Sequence, residues 1–507
     1  MADANTVIEL LREADPESPA IGAPERDDLT FGGLIELIET SVATLNGFGL
    51  GRNDAIGIVL PNGAEMATAF LAVASAGTAA PLNPGYRAEE FAFYLTDLDA
   101  KAVVVMAGDE TSAREAAAEH EIPLIELVPR GEGPAGVFEL RSELSGSVGS
   151  GGLASSDEVA LVLHTSGTTS RPKIVPLSHT NVCASAHHIG STLDLSAKDR
   201  CLNVMPLFHI HGLIAGVLSS LGAGGSTYCS PGFNAMRFFG WVEEAAPSWY
   251  TAVPTMHQLI LTRAARNSEA IAGNPLRFIR SSSSSLPPTV MAELEAVFDA
   301  PVIESYGMTE AAHQMTSNPL PPRARKPGTV GVAAGPDVAI MDEAGALLEG
   351  GATGEIVIRG PNVAAGYQSN AEVNATAYTD GWFRTGDQGV IDPDGYLTIT
   401  GRLKEIINRG GEKISPREVD EVLLAHPAVA QAVTFAMPHE RLGEEVAAAV
   451  VLRDGEEASE RDLRKFVGEH VADFKTPRQI VILDEIPKGA TGKIQRIGLA
   501  EKLGLTS

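Results

Sequence analysis

The segment HTSGTTSRPK, residues 164–173, gathers hydroxyls around one glycine and ends on a lysine. Thr165, Ser166, Thr168, Thr169 and Ser170 offer side-chain and backbone donors, Gly167 lets a backbone come close, and Lys173 adds a positive charge. Such a set suits the β- and γ-phosphate oxygens of a nucleotide. It is not the Walker arrangement, which needs two glycines at fixed spacing and a terminal Lys-Ser/Thr. Taken alone, the loop reads equally well as a solvated Ser/Thr turn. A second lysine, Lys493, closes PKGATGK, where a lone Lys would ordinarily be surface charge. His209 and His211 form a His-x-His pair. No third ligand has the spacing a metal site requires, and His211 reads equally well as a satisfied core histidine.

The loop has company. TSGTTSRPK, YGMTE (306–310), GWFRTGD (381–387), GRLKEIINRGGEKISPREVD (401–420) and PKGATGKIQR (487–496) occur in that order. Together they resemble the signature motifs of the adenylate-forming acyl-CoA synthetase superfamily, over about residues 30 to 500. The resemblance implies two steps. A carboxylate attacks the α-phosphate of ATP, giving an acyl-adenylate and pyrophosphate; the thiol of coenzyme A then displaces AMP. It implies an N-terminal adenylation domain over residues 1–402 and a mobile C-terminal lid over 403–507.

It also implies roles. Tyr306 packs on adenine, Thr309 contacts the α-phosphate, and Glu310 helps hold Mg²⁺, which offsets phosphate charge before an anion attacks. Asp387 accepts hydrogen bonds from the ribose hydroxyls, as an acceptor-only carboxylate does well, and Arg402 is a second ribose or phosphate contact. Lys404 is the hinge about which the lid turns. Gly410 and Gly411 line the pantetheine tunnel, where glycine lets backbone approach a narrow ligand. Lys493 bridges the attacking carboxylate and the α-phosphate. Ile174 departs from the family pattern, standing where most relatives carry Gly.

The superfamily accepts many acids, so the pocket must choose. MPLFHIHG (205–212), WYTAVPTMHQ (249–258), RSSSSSLPP (280–288) and YGMTEAAHQMTSNPLPP (306–322) resemble the oxalate–CoA ligase branch. In that branch two histidines and a serine hold the second carboxylate, and the matching positions are His209, Ser283 and His313. Oxalate has no alkyl group to bury, so its distal carboxylate needs donors. An imidazole beside a dianion is expected to favour its protonated form. A medium- or long-chain fatty-acid ligase is the next reading. A stand-alone adenylation enzyme that loads a carrier protein is another; with no carrier segment after PKGATGKIQR, coenzyme A is the expected acceptor.

These residues need a scaffold, and the pattern supplies an α/β one. AIGIVL (55–60), KAVVVM (101–106), EVALVLH (158–164) and APVIES (300–305) read as buried strands, whereas residues 36–49, 114–120 and 288–298 read as helices. Such alternation predicts βαβ units and mostly parallel sheet. Residues 131–156, rich in Gly and Ser, read as a loose surface connection. After about Pro319 short strands with Gly turns predict a small β subdomain, followed by a mobile α+β C-terminal domain. There Ser415 and Glu418 carry a capping-box signature for the helix 415–426. Cys201 to Met236 contains no Asp, Glu, Lys or Arg and reads as protein interior, the wall of a pocket.

Composition sets bounds on partners. Asp and Glu number 65 against 38 Lys and Arg, a net charge of −27. That argues against non-specific nucleic-acid or anionic-membrane binding and leaves room for a local basic pocket. Cys183, Cys201 and Cys229 match no zinc or redox spacing, and the N-terminus lacks a secretory pattern. The expectation is a cytoplasmic enzyme without membrane insertion, whose partners are a small carboxylic acid, ATP and coenzyme A. A homo-oligomer is left open.

Overall fold

The computed structural model describes residues 4–165, 172–368, 370–487 and 495–505. By packing, the chain divides into two units, residues 1–165, 173–338 and 358–383 in one, and 166–172, 339–357 and 384–507 in the other. No helix among the described residues is long and apolar enough to cross a membrane.

The expected strands build the first unit. Ala55–Val59, Ala102–Met106 and Val159–Thr165 lie in a seven-stranded sheet with a parallel centre. They are nearly continuous apolar runs because helices cover both faces of such sheets. Lys173–Ser178 closes one edge, antiparallel to Val159–Thr165. Residues 131–156 are less loose than expected: Phe138–Arg141 pairs with Leu124–Pro129 at the other edge.

A second, nine-stranded sheet has at its centre the parallel strands Ser226–Cys229, Arg200–Asn203, Trp249–Ala252, Phe278–Ser281 and Val302–Met308. All their C-terminal ends therefore emerge along one edge, where open α/β sheets bind ligands. The chain then doubles back as His313–Ser317, antiparallel to Val302–Met308. The charge-free segment is interior as expected. Its centre, His211–Leu218, is a π-helix in which every residue is buried. π-Helical turns often mark functional sites. Asn203 braces this one by donating to the Gly212 carbonyl at 3.1 Å.

In the second unit residues 387–391, the end of the strand Trp382–Ile391, pair with Leu397–Arg402. The C-terminal part is a five-stranded sheet built around Gly443–Leu452, which pairs with Val429–His439, Ile407–Arg409 and Gln479–Ile482, with the helices Pro416–Ala425 and Glu460–Gly468. One local expectation fails. Ser415 makes no side-chain bond to its own helix; its hydroxyl donates to the Thr400 carbonyl. Glu418, the other half of the expected box, is held by Lys475 at 2.7 Å. A tertiary partner outcompetes the local cap, and Pro416 at the first helical position needs no amide acceptor.

Candidate active site

The phosphate-loop motif begins at the end of one strand and finishes at the start of the next. Thr165 and Lys173 face each other across the antiparallel pair; Ser166, Gly167, Thr168, Thr169 and Ser170 lie outside the described residues. The departure at Ile174 is accommodated by packing. Its side chain is buried with Leu82, Phe91 and Val162, and its carbonyl accepts from the Gln368 amide at 3.0 Å.

Lys173 is joined to the YGMTE motif through a residue that sequence reasoning did not single out. The Lys173 ammonium lies 4.4 Å from the centre of the Tyr367 ring. The Tyr367 hydroxyl donates to Glu310 Oε1 at 2.7 Å. One side chain thus places a ring face under the cation and a hydroxyl donor on the carboxylate. Glu310 is buried, in the single turn Thr309–Ala311 that follows Val302–Met308. Two bonds pin that turn: Ala364 donates to the Glu310 carbonyl at 2.8 Å, and Asn362 to the Ala311 carbonyl at 2.8 Å. Tyr306 is half-buried opposite Thr316. Gly307 is required there, since a Cβ would stand 1.5 Å from the His313 carbonyl oxygen.

Beyond that turn lies a buried polar cluster. His211 Nδ1 is 3.0 Å from Ser283 Oγ, and its Nε2 is 2.6 Å from Thr251 Oγ1. The rings of His211 and His313 meet edge to face, 5.0 Å apart. Arg280 reaches His211 Nε2 at 3.3 Å and Gln314 Oε1 at 3.4 Å. Ser283, Ala312 and His313 have φ of 70°, 46° and 104°, left-handed values that cost non-glycine residues about 1–3 kcal/mol each and collect at ligand sites. His313 is 2% exposed, yet its Nδ1 has no hydrogen-bond partner among the described residues.

Ser283 and His313 are thus linked through His211, which touches both. His209 is half-buried against Phe208, ring centres 5.4 Å apart. Burial dominates the charge state of these rings. Burial, with the nearby charge of Arg280, holds both His211 and His313 well below the ordinary histidine range. The positive charge in the cluster belongs to Arg280, itself pushed down to about 9 by burial.

In the second unit Asp387 is buried opposite Arg402, whose Nε donates to Asp387 Oδ1 at 2.8 Å. The turn before it is set by Glu355, which accepts from Arg384 Nε at 2.7 Å and from the Gly386 amide at 2.9 Å. Lys404 is exposed in the single turn Leu403–Glu405. Gly410 and Gly411, at φ of 60° and 100°, form the two-residue turn between Ile407–Arg409 and Glu412–Ile414, a hairpin geometry that demands glycine. Lys493 lies outside the described residues. Just after it Arg496 is anchored by Asp420 at 2.6 Å and Glu405 at 3.1 Å.

The AMP-binding enzyme family matches residues 11–368, and the family's C-terminal domain matches 418–493. The chain belongs to the AMP-binding enzyme family. An oxalate–CoA ligase of Arabidopsis thaliana is 44% identical over 97% of this chain and 98% of its own length. One from Saccharomyces cerevisiae is 42% identical, over 90% and 88%. Among solved structures, ATP-bound MatB from Rhodopseudomonas palustris superposes with a TM-score of 0.88 at 28% identity, covering 98% of both chains.

Within this AMP-binding enzyme, three residues of the site escaped the motif reading. Tyr367 follows AAG, with nothing in its own segment to point at Glu310. His211 read equally well as a core histidine, and His209 was the position matched to the acid. Arg280 sat at the head of the serine run, and only the sheet shows that it is wholly buried.

Proposed function

We propose that this AMP-forming acid–CoA ligase activates oxalate, or another very short dicarboxylate, to its CoA thioester. The observation that carries the reading is the chemistry of the cluster at Ser283 and His313. Imidazole, hydroxyl and guanidinium groups are buried there, where a fatty-acid enzyme needs alkyl surface. The 44% and 42% identity to chains named oxalate–CoA ligase supports it.

In this reading one carboxylate of the acid faces the α-phosphate. The other accepts hydrogen bonds from the Ser283 hydroxyl and from His313, with His209 nearby. A buried carboxylate left unpaired would cost several kcal/mol, so these donors select acids with a second charge. Tyr306 holds adenine, Thr309 and Lys173 address phosphate oxygens with the Thr165–Ser170 loop, and Asp387 with Arg402 holds the ribose. Lys493 offsets charge as the first carboxylate attacks. Lys404 is the hinge between residues 1–402 and 403–507, and Gly410 and Gly411 border the path of pantetheine.

Glu310 is the residue for Mg²⁺. No three His, Cys, Asp or Glu side chains cluster for a metal among the described residues. Magnesium asks less, since it takes one or two carboxylates and otherwise phosphates and water. Glu310, oriented by Tyr367, is such a carboxylate; the ion would offset phosphate charge. A cytoplasmic location is supported by three buried cysteines without disulfides.

The test is ATP–pyrophosphate exchange, followed by thioester formation with coenzyme A, on oxalate, malonate, acetate and octanoate. Wild type is expected to prefer oxalate. His313→Ala should lower oxalate kcat/KM by at least about thirtyfold, from a lost donor worth about 2–5 kcal/mol, with the KM for ATP unchanged. A wild-type preference for octanoate would overturn the substrate and leave the ligase class standing.

A further inference from the structure

Arg280 is the anomaly in this protein's interior. It is fully buried, and a buried charge normally has a partner of opposite sign, because an uncompensated charge is costly to hold out of water. Neither of its hydrogen-bond partners is an acid: one is an imidazole and the other an amide. Its Nε makes no hydrogen bond among the described residues. The buried carboxylate nearest in register does not help. Arg280 pairs with Ile303 and Ser281 with Glu304, and successive strand residues point to opposite faces, so Glu304 belongs to the other face of the sheet. Glu304 is committed there to the Leu286 amide at 2.9 Å.

The same face carries what Arg280 does touch. Thr251 is its direct neighbour across the parallel pair, and both reach His211 Nε2. A guanidinium has donors only. His211 Nε2 must therefore present its lone pair, and the ring proton sits on Nδ1. That nitrogen faces Ser283 Oγ at 3.0 Å. With His211 donating to its oxygen, the Ser283 hydroxyl proton is left to point at a ligand. Gln314 sets the other side. Its amide nitrogen donates to Thr192 Oγ1 and to the Ala334 carbonyl, both at 3.1 Å, which turns Oε1 toward Arg280. A histidine and a glutamine are thus arranged as acceptors around a cation that has no anion.

We propose that Arg280 is a positioning and specificity-determining residue for dianionic acids. It fixes His211 in the Nδ1–H form, so that Ser283 donates to the distal carboxylate, and it supplies the positive charge that this carboxylate balances. The proposal rests on the short-dicarboxylate reading above. It accounts for three features together: a buried Arg without an acid, a histidine held neutral beside it, and left-handed backbone at Ser283 and His313.

The experiment compares oxalate with oxamate, which has the same shape but carries an amide for the second carboxylate. Kinetics of adenylation are measured for oxalate, with oxamate as competing inhibitor, on wild type, Arg280→Gln and Arg280→Lys. Wild type should bind oxalate at least a hundredfold better than oxamate. Arg280→Gln should raise the oxalate KM a hundredfold or more, with the oxamate inhibition constant and the KM for ATP within threefold of wild type. Arg280→Lys, which keeps the charge, should recover at least a tenth of the lost kcat/KM. A structural role alone would weaken both acids alike, and that result overturns the proposal while leaving oxalate as substrate. If wild type instead prefers a monocarboxylic acid, the substrate reading falls and the proposal falls with it. Should Arg280→Gln fail to fold, Arg280→Lys decides: an oxalate KM within tenfold of wild type supports the charge argument, and a loss beyond a hundredfold overturns it.

Discussion

Replacing Tyr367 by Phe removes one oxygen and tests whether Glu310 is oriented for chemistry or merely buried. The ring stays, so the Lys173 ammonium keeps its face contact at 4.4 Å, worth about 0.5–2 kcal/mol. What disappears is the 2.7 Å hydrogen bond to Glu310 Oε1. Hydrogen bonds to a charged group contribute about 1.5–3 kcal/mol. If the bond serves the transition state, that is a fall of roughly 10- to 150-fold in rate. The assay is ATP–pyrophosphate exchange at saturating acid, titrated with Mg²⁺. The expected result is a lower maximal rate together with a higher Mg²⁺ requirement, since an unoriented carboxylate holds the ion less well. Tyr367→Ala should be worse, because it also removes the face under Lys173 and opens a cavity costing about 3–5 kcal/mol of stability. Unchanged exchange and unchanged Mg²⁺ dependence in Tyr367→Phe would refute the reasoning.

Lys493→Ala should slow adenylation by at least about a hundredfold, the scale of one lost electrostatic contact of ~3–4 kcal/mol, while thioester formation from supplied acyl-adenylate stays near wild type; equal loss in both steps counts against the lid assignment. Lys404→Pro, which fixes φ near −65°, should spare adenylation and block thioester formation, with Lys404→Ala mild; normal turnover of the proline variant would place the hinge elsewhere. Acid should destabilise the fold. Burial lowers His179 to about 4 and His257 to about 3. Below the ordinary value of 6.5 the unfolded chain then binds protons that the folded chain does not, so stability is full above that pH. It should fall by about 1.4 kcal/mol per pH unit for each such histidine as pH drops from 6.5 toward 4. Denaturant titrations across that window measure the slope, and a flat profile excludes neutral buried histidines.

The strands at 55–60, 101–106 and 158–164 were legible because parallel strands covered on both faces are written as unbroken apolar runs. The five motifs were legible for a related reason. Each gathers its chemistry within a short stretch of chain, as Thr309 and Glu310 sit in a single turn after a strand, so residue type and spacing carry it. The capping box at Ser415 was misread because a local rule cannot know that the Thr400 carbonyl stands nearby.

The acid's surroundings obey a different logic. Arg280 and His211 are 69 residues apart, and Tyr367 and Glu310 are 57. Residue types and local order were enough to point to the family and its ligase chemistry, and to single out Ser283 and His313 as candidates for the acid site. Only the tertiary structure decided that His211 touches both Ser283 and His313, that Arg280 is the buried cation beside them, and that Tyr367 ties Lys173 to Glu310. The physical reason is the sheet. Parallel strands from distant segments end side by side on one edge, and neighbours in that order share a pocket through hydrogen-bond register, which no local spacing encodes.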